Sequence, residues 1–218
     1  MRRGRFVSFE GGEGAGKSTV ISRVRQAIEG AQIEVVQTRE PGGTAAGEAM
    51  RAILLDRRHT TLDDATELLL MFASRAQLVR EVIEPALARG AWVLSDRFTD
   101  SSFAYQGGGR GMDMRLIEDL ESRVVRMRPD LTLLLDLSVR EGHARIASRG
   151  NSTDRIELQD AGFFERVRSV YLARAKSEPL RFRVLDASQA PEHVADAAVA
   201  SITGLLADAC PSGSGIIQ

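Results

Sequence analysis

FEGGEGAGKST, residues 9–19, joins a short apolar run to the start of a helical pattern. Gly11, Gly16, Lys17 and Ser18 satisfy G-x-x-x-x-G-K-[ST], the spacing at which a glycine-rich turn wraps its backbone N–H groups around phosphate. In that arrangement Gly11, Gly12, Glu13, Gly14, Ala15 and Gly16 form the ring and Lys17 reaches the β- and γ-phosphate oxygens. Ser18, followed by Thr19, brings a hydroxyl able to bind Mg²⁺. Phe6, Val7 and Phe9 precede the turn, and Val20, Ile21, Val24 and Ile28 follow it at helical spacing. A strand, loop and helix that bind a nucleoside triphosphate account for all of these residues.

Outward from this unit, apolar runs at 5–9, 33–37, 91–95, 131–136 and 181–186 read as strands, separated by segments of helical period. The alternation predicts an α/β protein of the P-loop NTPase class, with a five-stranded parallel sheet flanked by helices on both faces. Leu62 to Arg89 is too long and too periodic for a strand and predicts one helix or two, ended by Gly90. Polar clusters fall at strand ends: 11–18 after the first, 38–44 after the second, 96–110 after the third and 186–189 after the fifth. Ligands of open parallel sheets bind beyond the carboxyl ends of the strands, so one rim is expected to collect the chemistry. No repeat or linker interrupts residues 1–209, which read as a single domain, with 210–218 as a loose tail.

Composition narrows the function. A formal net charge of −1 gives no global attraction to nucleic acid or an anionic membrane, so neither partner is expected. The 43% of hydrophobic residues is enough for a proper core. Lys17 and Lys176 are the only lysines, so arginine carries nearly all the positive charge and suits bidentate phosphate binding. Cys210 is alone and His59, His143 and His193 lie far apart, which offers neither a disulfide framework nor a zinc spacing. The amino-terminal residues lack a signal-peptide apolar stretch and no run of about 18 apolar residues occurs, so a cytoplasmic protein is expected.

Asp96 and Arg97 leave the third strand side by side, where a carboxylate can hold Mg²⁺, directly or through water, and a guanidinium can bridge donor and acceptor phosphates. With FEGGEGAGKST, TREPGGT at 38–44, LSDRFTDSSFAYQG at 94–107 and ARIASRGNSTDRIE at 144–157, the chain resembles the thymidylate kinases over about residues 5–208. The resemblance is to the bacterial subtype that supplies lid arginines, since Gly14 stands where some members carry a basic loop residue. It implies ATP as phosphoryl donor with Mg²⁺, dTMP as acceptor and a homodimer. It further implies that Arg75, Ser102 and Gln106 recognise the base and Tyr105 sits where a ribose 2′-hydroxyl would intrude. Arg39, Arg51 and Arg97 would clamp the acceptor phosphate, with Glu13 and Glu40 beside it, and Lys17, Arg97, Asp96, Arg149 and Glu13 would form the catalytic set. Where the family usually stacks an aromatic on the base this chain has Met71, with Phe72 next to it, and either residue could face the base.

The acceptor phosphate brings its own nucleophilic oxygen, so alignment and charge neutralisation suffice without a general base. Arg145, Arg149 and Arg155 around Gly150 read as a lid at about 145–157 that closes over ATP and excludes water. A deoxynucleoside kinase is the alternative, with Glu10, Glu13 or Glu40 as base; a partner-regulated ATPase switch is a further one.

Overall fold

The computed structural model describes residues 2–149 and 154–209, with the side chains of Arg149, Asp208 and Ala209 left out; Gly150, Cys210 and the tail 211–218 lie outside the described residues. The chain runs β1 (Phe6–Gly11), α1 (Lys17–Gly30), β2 (Val35–Arg39), α2 (Ala45–Leu55), α3 (Asp64–Leu78), α4 (Glu84–Ala88), β3 (Trp92–Asp96) and α5 (Thr99–Ser102). It continues through α6 (Met114–Leu120), β4 (Leu131–Asp136), α7 (Val139–Arg149), α8 (Ala161–Ser177), β5 (Phe182–Asp186) and α9 (Pro191–Ala209). The five strands form one parallel sheet in the order β2-β3-β1-β4-β5, as expected from the alternation. The periodic segment after Leu62 is one helical run in which π-helical turns at Val79–Ile83 join α3 to α4.

β1 is the central strand and all six of its residues are buried, because helices cover both faces. Its side chains alternate between two cores. Val7 and Phe9 pack with Val20, Ile21, Val24 and Ile28 of α1 and with Ala198 and Ile202 of α9. Phe6 joins the opposite core with Leu68, Phe72, Leu78 and Phe98. Each large apolar side chain buried this way contributes about 1.5–3 kcal/mol. A third cluster, built by Phe163, Phe164, Val167 and Tyr171 of α8, packs against Tyr105 and Leu134.

Register brings the strand ends level: Arg39 of β2 lies opposite Asp96 of β3, and Phe9 of β1 lies opposite the same Asp96. The order also reverses at β1, whose neighbours β3 and β4 follow later in the chain, and this is where a crevice opens in a doubly wound sheet.

Candidate active site

The loop after β1 has the backbone its glycines allow. Gly11, Gly14 and Gly16 have φ of 136°, 72° and 87°, values that side chains disfavour. A Cβ on Gly14 would also lie 2.6 Å from the Gly142 carbonyl oxygen of α7. The helix that follows differs from its neighbours at its start. Thr44, Asp63, Asp113 and Asp160 cap α2, α3, α6 and α8 through their side chains, whereas α1 begins at left-handed Gly16 with no side-chain cap. The first N–H groups of α1 are therefore left to a ligand, and its dipole favours an anion there. Lys17 folds back over the loop with Nζ 3.4 Å from the carbonyls of Gly11 and Gly12. Burial and the neighbouring Arg97 guanidinium depress its pKa, so the ammonium sits where additional negative charge is favourable. Ser18 and Thr19 are exposed in the first turn.

Arg97 is held at the centre. Its φ of 73° is in the left-handed region, which is strained for a residue with a Cβ, and its N–H donates to the Phe9 carbonyl at 3.0 Å. The guanidinium donates to Glu13 Oε1 at 2.5 Å, to the Gly11 carbonyl at 3.1 Å and to the Tyr171 hydroxyl at 3.3 Å, and lies 4.8 Å from the Tyr105 ring centre. Tyr105 donates to the same Glu13 oxygen at 3.0 Å. Burial raises the Glu13 pKa, but Arg97, Lys17 and the Tyr105 hydroxyl outweigh it and hold the carboxyl below its usual range. Beneath these groups Glu10 accepts from Phe98 N–H at 2.7 Å, Ser101 at 2.6 Å and Tyr171 at 2.8 Å. Burial, with the Asp100 carboxylate nearby, pushes its pKa up to about 7.

Beside the loop lies a cavity of about 220 Å³, whose lining includes Glu13, Lys17, Arg39, Arg51, Asp96 and Arg97. Glu40, Met71, Arg75, Ser102, Tyr105 and Gln106 line it as well. Of the residues expected to meet the acceptor, Phe72 is the one set apart: it lies in the core 4.8 Å from the Arg75 guanidinium, while Met71 lines the cavity. Arg75 is 1% exposed, so its charge must be paired. Its Nε donates to Glu40 at 2.5 Å and its terminal nitrogens to Ser102 at 3.0 Å and the Phe98 carbonyl at 3.2 Å. Burial pushes Glu40 up to about 7, against the pull of Arg75. Arg39 pairs with Glu48 at 3.0 Å, and Arg51 donates to the Pro41 carbonyl at 2.8 Å. Among the described residues, the buried side-chain atoms without a partner are Thr38 Oγ1, Glu40 Oε1 and Asp96 Oδ1, all at the carboxyl ends of β2 and β3. Such atoms are usually satisfied, so their clustering on one rim suits completion by a bound ligand, ion or water.

A second cavity of about 230 Å³ opens on the other side of the loop between Gly14, Ala15, Gly16, Arg145, Ala187, Gln189 and Pro191. Arg145 reaches it by donating to the carbonyls of Gly14 at 3.4 Å and Ala187 at 3.0 Å. Arg155 does not join it. The expectation of a third lid arginine over the triphosphate gives way to a buried ion pair of Arg155 with Glu67 at 2.5 Å, backed by the Leu54 carbonyl at 2.9 Å. The neighbouring Asp154, Ile156 and Glu157 line the first cavity. Glu67, Arg110 and Tyr171 were not singled out from the sequence. Glu67 had a signal: it is the acidic residue four positions before Met71 and eight before Arg75, on the face of α3 that meets the cavity.

Two cavities along a glycine-rich loop at the carboxyl edge of a parallel sheet, one lined by Arg39, Arg51, Arg75 and Arg97 and the other by Arg145, define a phosphotransferase of the P-loop class. The thymidylate kinase sequence profile matches residues 9–198. A thymidylate kinase of Chromohalobacter salexigens is 52% identical over 209 residues, 95% of this chain and 99% of that one. One of Pseudomonas fluorescens is 50% identical over 93% of this chain and 97% of the relative. The crystal structure of thymidylate kinase from Ehrlichia chaffeensis superposes with a TM-score of 0.74 at 31% identity, covering 92% of this chain and 98% of that chain. The chain belongs to the thymidylate kinase family.

Proposed function

We propose that the chain transfers the γ-phosphoryl group of ATP to dTMP, giving dTDP and ADP, as one catalytic domain over residues 1–209. The observation that carries this reading is the pair of cavities that share the glycine-rich loop, one lined by Glu13, Lys17 and Arg97 and the other by Gly14, Ala15, Gly16 and Arg145. ATP occupies the loop, with Gly11 to Thr19 around its phosphates and Arg145 toward the base; the Arg149 side chain, expected in the lid, lies outside the described residues. dTMP occupies the first cavity, its base against Met71, Arg75, Ser102 and Gln106 and its phosphate toward Arg39, Arg51 and Arg97. Tyr105, tied to Glu13, stands against the sugar. Neither Glu13 nor Glu40 has to take a proton, since the acceptor oxygen is already anionic; each instead orients an arginine. Of the bases open to a deoxynucleoside kinase, Glu10, Glu13 and Glu40, the last two are engaged by Arg97 and Arg75, which weighs against their taking a proton.

The donor set fits Mg²⁺, a hard cation that takes oxygen ligands: Asp96 has a buried, partnerless Oδ1 and Ser18 an exposed hydroxyl. These two residues would hold the ion, which supplies neutralisation of the phosphate charge. A cytoplasmic homodimer completes the proposal. Ile53 of α2 and Leu69 of α3 are exposed apolar residues that a second copy would cover, and no described helix is long and apolar enough to cross a membrane. A coupled assay of ADP release across a panel of nucleosides and monophosphates tests the assignment. dTMP should be the preferred acceptor, and phosphorylation of thymidine but not dTMP refutes it.

A further inference from the structure

Glu67 is 1% exposed, yet it carries a carboxylate that lines neither cavity. Four donors converge on it. Gln106 Nε2 donates to Oε1 at 2.9 Å, Arg110 donates to Oε1 at 3.4 Å and to Oε2 at 3.1 Å, and Arg155 donates to Oε2 at 2.5 Å. Arg110 is in turn fixed by Gln159 Oε1 at 2.9 Å and by the Phe163 ring, and Arg155 by the Leu54 carbonyl. Two guanidinium groups beside one buried acid keep it ionised, and an ionised carboxylate only accepts.

That restriction has a chemical effect on Gln106, which lines the acceptor cavity. A free primary amide can present either its oxygen or its nitrogen to a base, because the two ends are nearly the same size. Opposite a carboxylate the nitrogen must face Glu67, and the oxygen becomes the end available to the cavity. We propose that Glu67 is a positioning residue for base selection: it fixes the Gln106 amide so that the cavity offers a hydrogen-bond acceptor. Thymine, which carries a donor at N3, is matched, and cytosine, which carries an acceptor there, is refused. A site built around a directed hydrogen bond discriminates more strongly than one built on shape. The inference rests on the reading of the cavity lined by Arg75 and Gln106 as the dTMP site.

The test is Glu67→Gln, whose amide can accept and donate, so that Gln106 is free to turn over. kcat/KM is measured with dTMP and with dCMP at saturating ATP, beside the KM for ATP. The preference for dTMP over dCMP should fall at least tenfold, with the KM for ATP within twofold of the parent. An equal fall with both acceptors, leaving the preference within twofold, overturns the proposal, since a merely structural acid would act that way. Should the variant fail to fold with two arginines left beside a neutral group, Glu67→Gln/Arg110→Met removes a cation with the anion and is held to the same criterion. Gln106→Leu separates the two readings. If it leaves kcat/KM for dTMP unchanged, the placement of the base has failed; if it lowers it while Glu67→Gln keeps the preference, only the role of Glu67 has failed.

Discussion

Arg97→Ala should lower kcat about a thousandfold, and the size of the loss follows from what the guanidinium touches. The side chain is 15% exposed and contacts the loop carbonyl of Gly11, Glu13, Ser101 and Tyr171, so it is held against the loop, on the wall of the first cavity, before either substrate arrives. A charge fixed in advance where phosphoryl groups meet requires little reorganisation during transfer, and an arginine in that role is worth roughly 10³–10⁵ in rate. At about 1.4 kcal/mol per tenfold, a thousandfold loss corresponds to about 4 kcal/mol of transition-state stabilisation. Arg97→Lys keeps the charge but replaces a planar fork with a single point, so an intermediate loss of roughly a hundredfold is expected. Ala and Lys carry a Cβ as Arg does, so the strain of the 73° φ at this position is expected to be common to the parent and both variants. Initial rates of ADP formation, with dTMP and ATP each varied, separate the effects. kcat and kcat/KM should fall together, the KM for ATP should move less than threefold, and both variants should melt cooperatively. An Arg97→Ala enzyme within tenfold of the parent kcat would show that the guanidinium does not act on the transferring group.

Other substitutions follow from the same contacts. Arg75→Ala leaves Glu40 buried without its partner and should cost about 3–5 kcal/mol of stability while raising the KM for dTMP and sparing that for ATP; equal weakening of both substrates argues against a base-side role. Asp100→Asn removes a fully buried charge that accepts from Arg174 at 2.6 Å and from Arg181 at 2.6 and 3.0 Å. A loss of about 3–5 kcal/mol is expected, equivalent to a fall of roughly 6–20 °C in Tm, and an unchanged melt would contradict the pairing. Glu10 binds its proton more tightly in the folded state, with pKa raised to about 7. Its contribution is therefore complete below the unfolded value of about 4.5 and is lost as pH rises through 7, at most about 3 kcal/mol in all. Thermal melts from pH 5 to 8 should decline in the parent and decline less in Glu10→Gln, with a residual slope from Glu40, which shifts the same way. A parent that gains stability across that window would refute the assignment.

Local pattern carried the fold because each strand and the loop after β1 declare themselves over a few consecutive residues. The apolar run Phe6, Val7, Phe9, helical spacing from Val20 to Ile28 and the G-x-x-x-x-G-K-S turn each need no distant partner to be recognised. The same holds for the site residues that sit directly on the rim, such as Lys17, Arg39, Asp96 and Arg97, since strand ends are legible and the rim follows from them. Partnership between remote charges is another matter. Arg155 shares its arginine-rich stretch with Arg145 but turns away to Glu67, 88 positions earlier, and Met71 rather than Phe72 reaches the cavity through the rotation of α3 against the sheet. Asp100 looks like any surface acid in sequence and Glu10 like a candidate base, and only packing under α8 takes both out of water and makes their pairing obligatory. The sequence by itself determined the order of elements, the phosphate loop and the edge of the sheet where chemistry gathers, because those depend on short-range stereochemistry. The choice of which arginine meets which carboxylate belonged to the tertiary structure, because the cost of burying a charge is set by neighbours that the linear order does not place together.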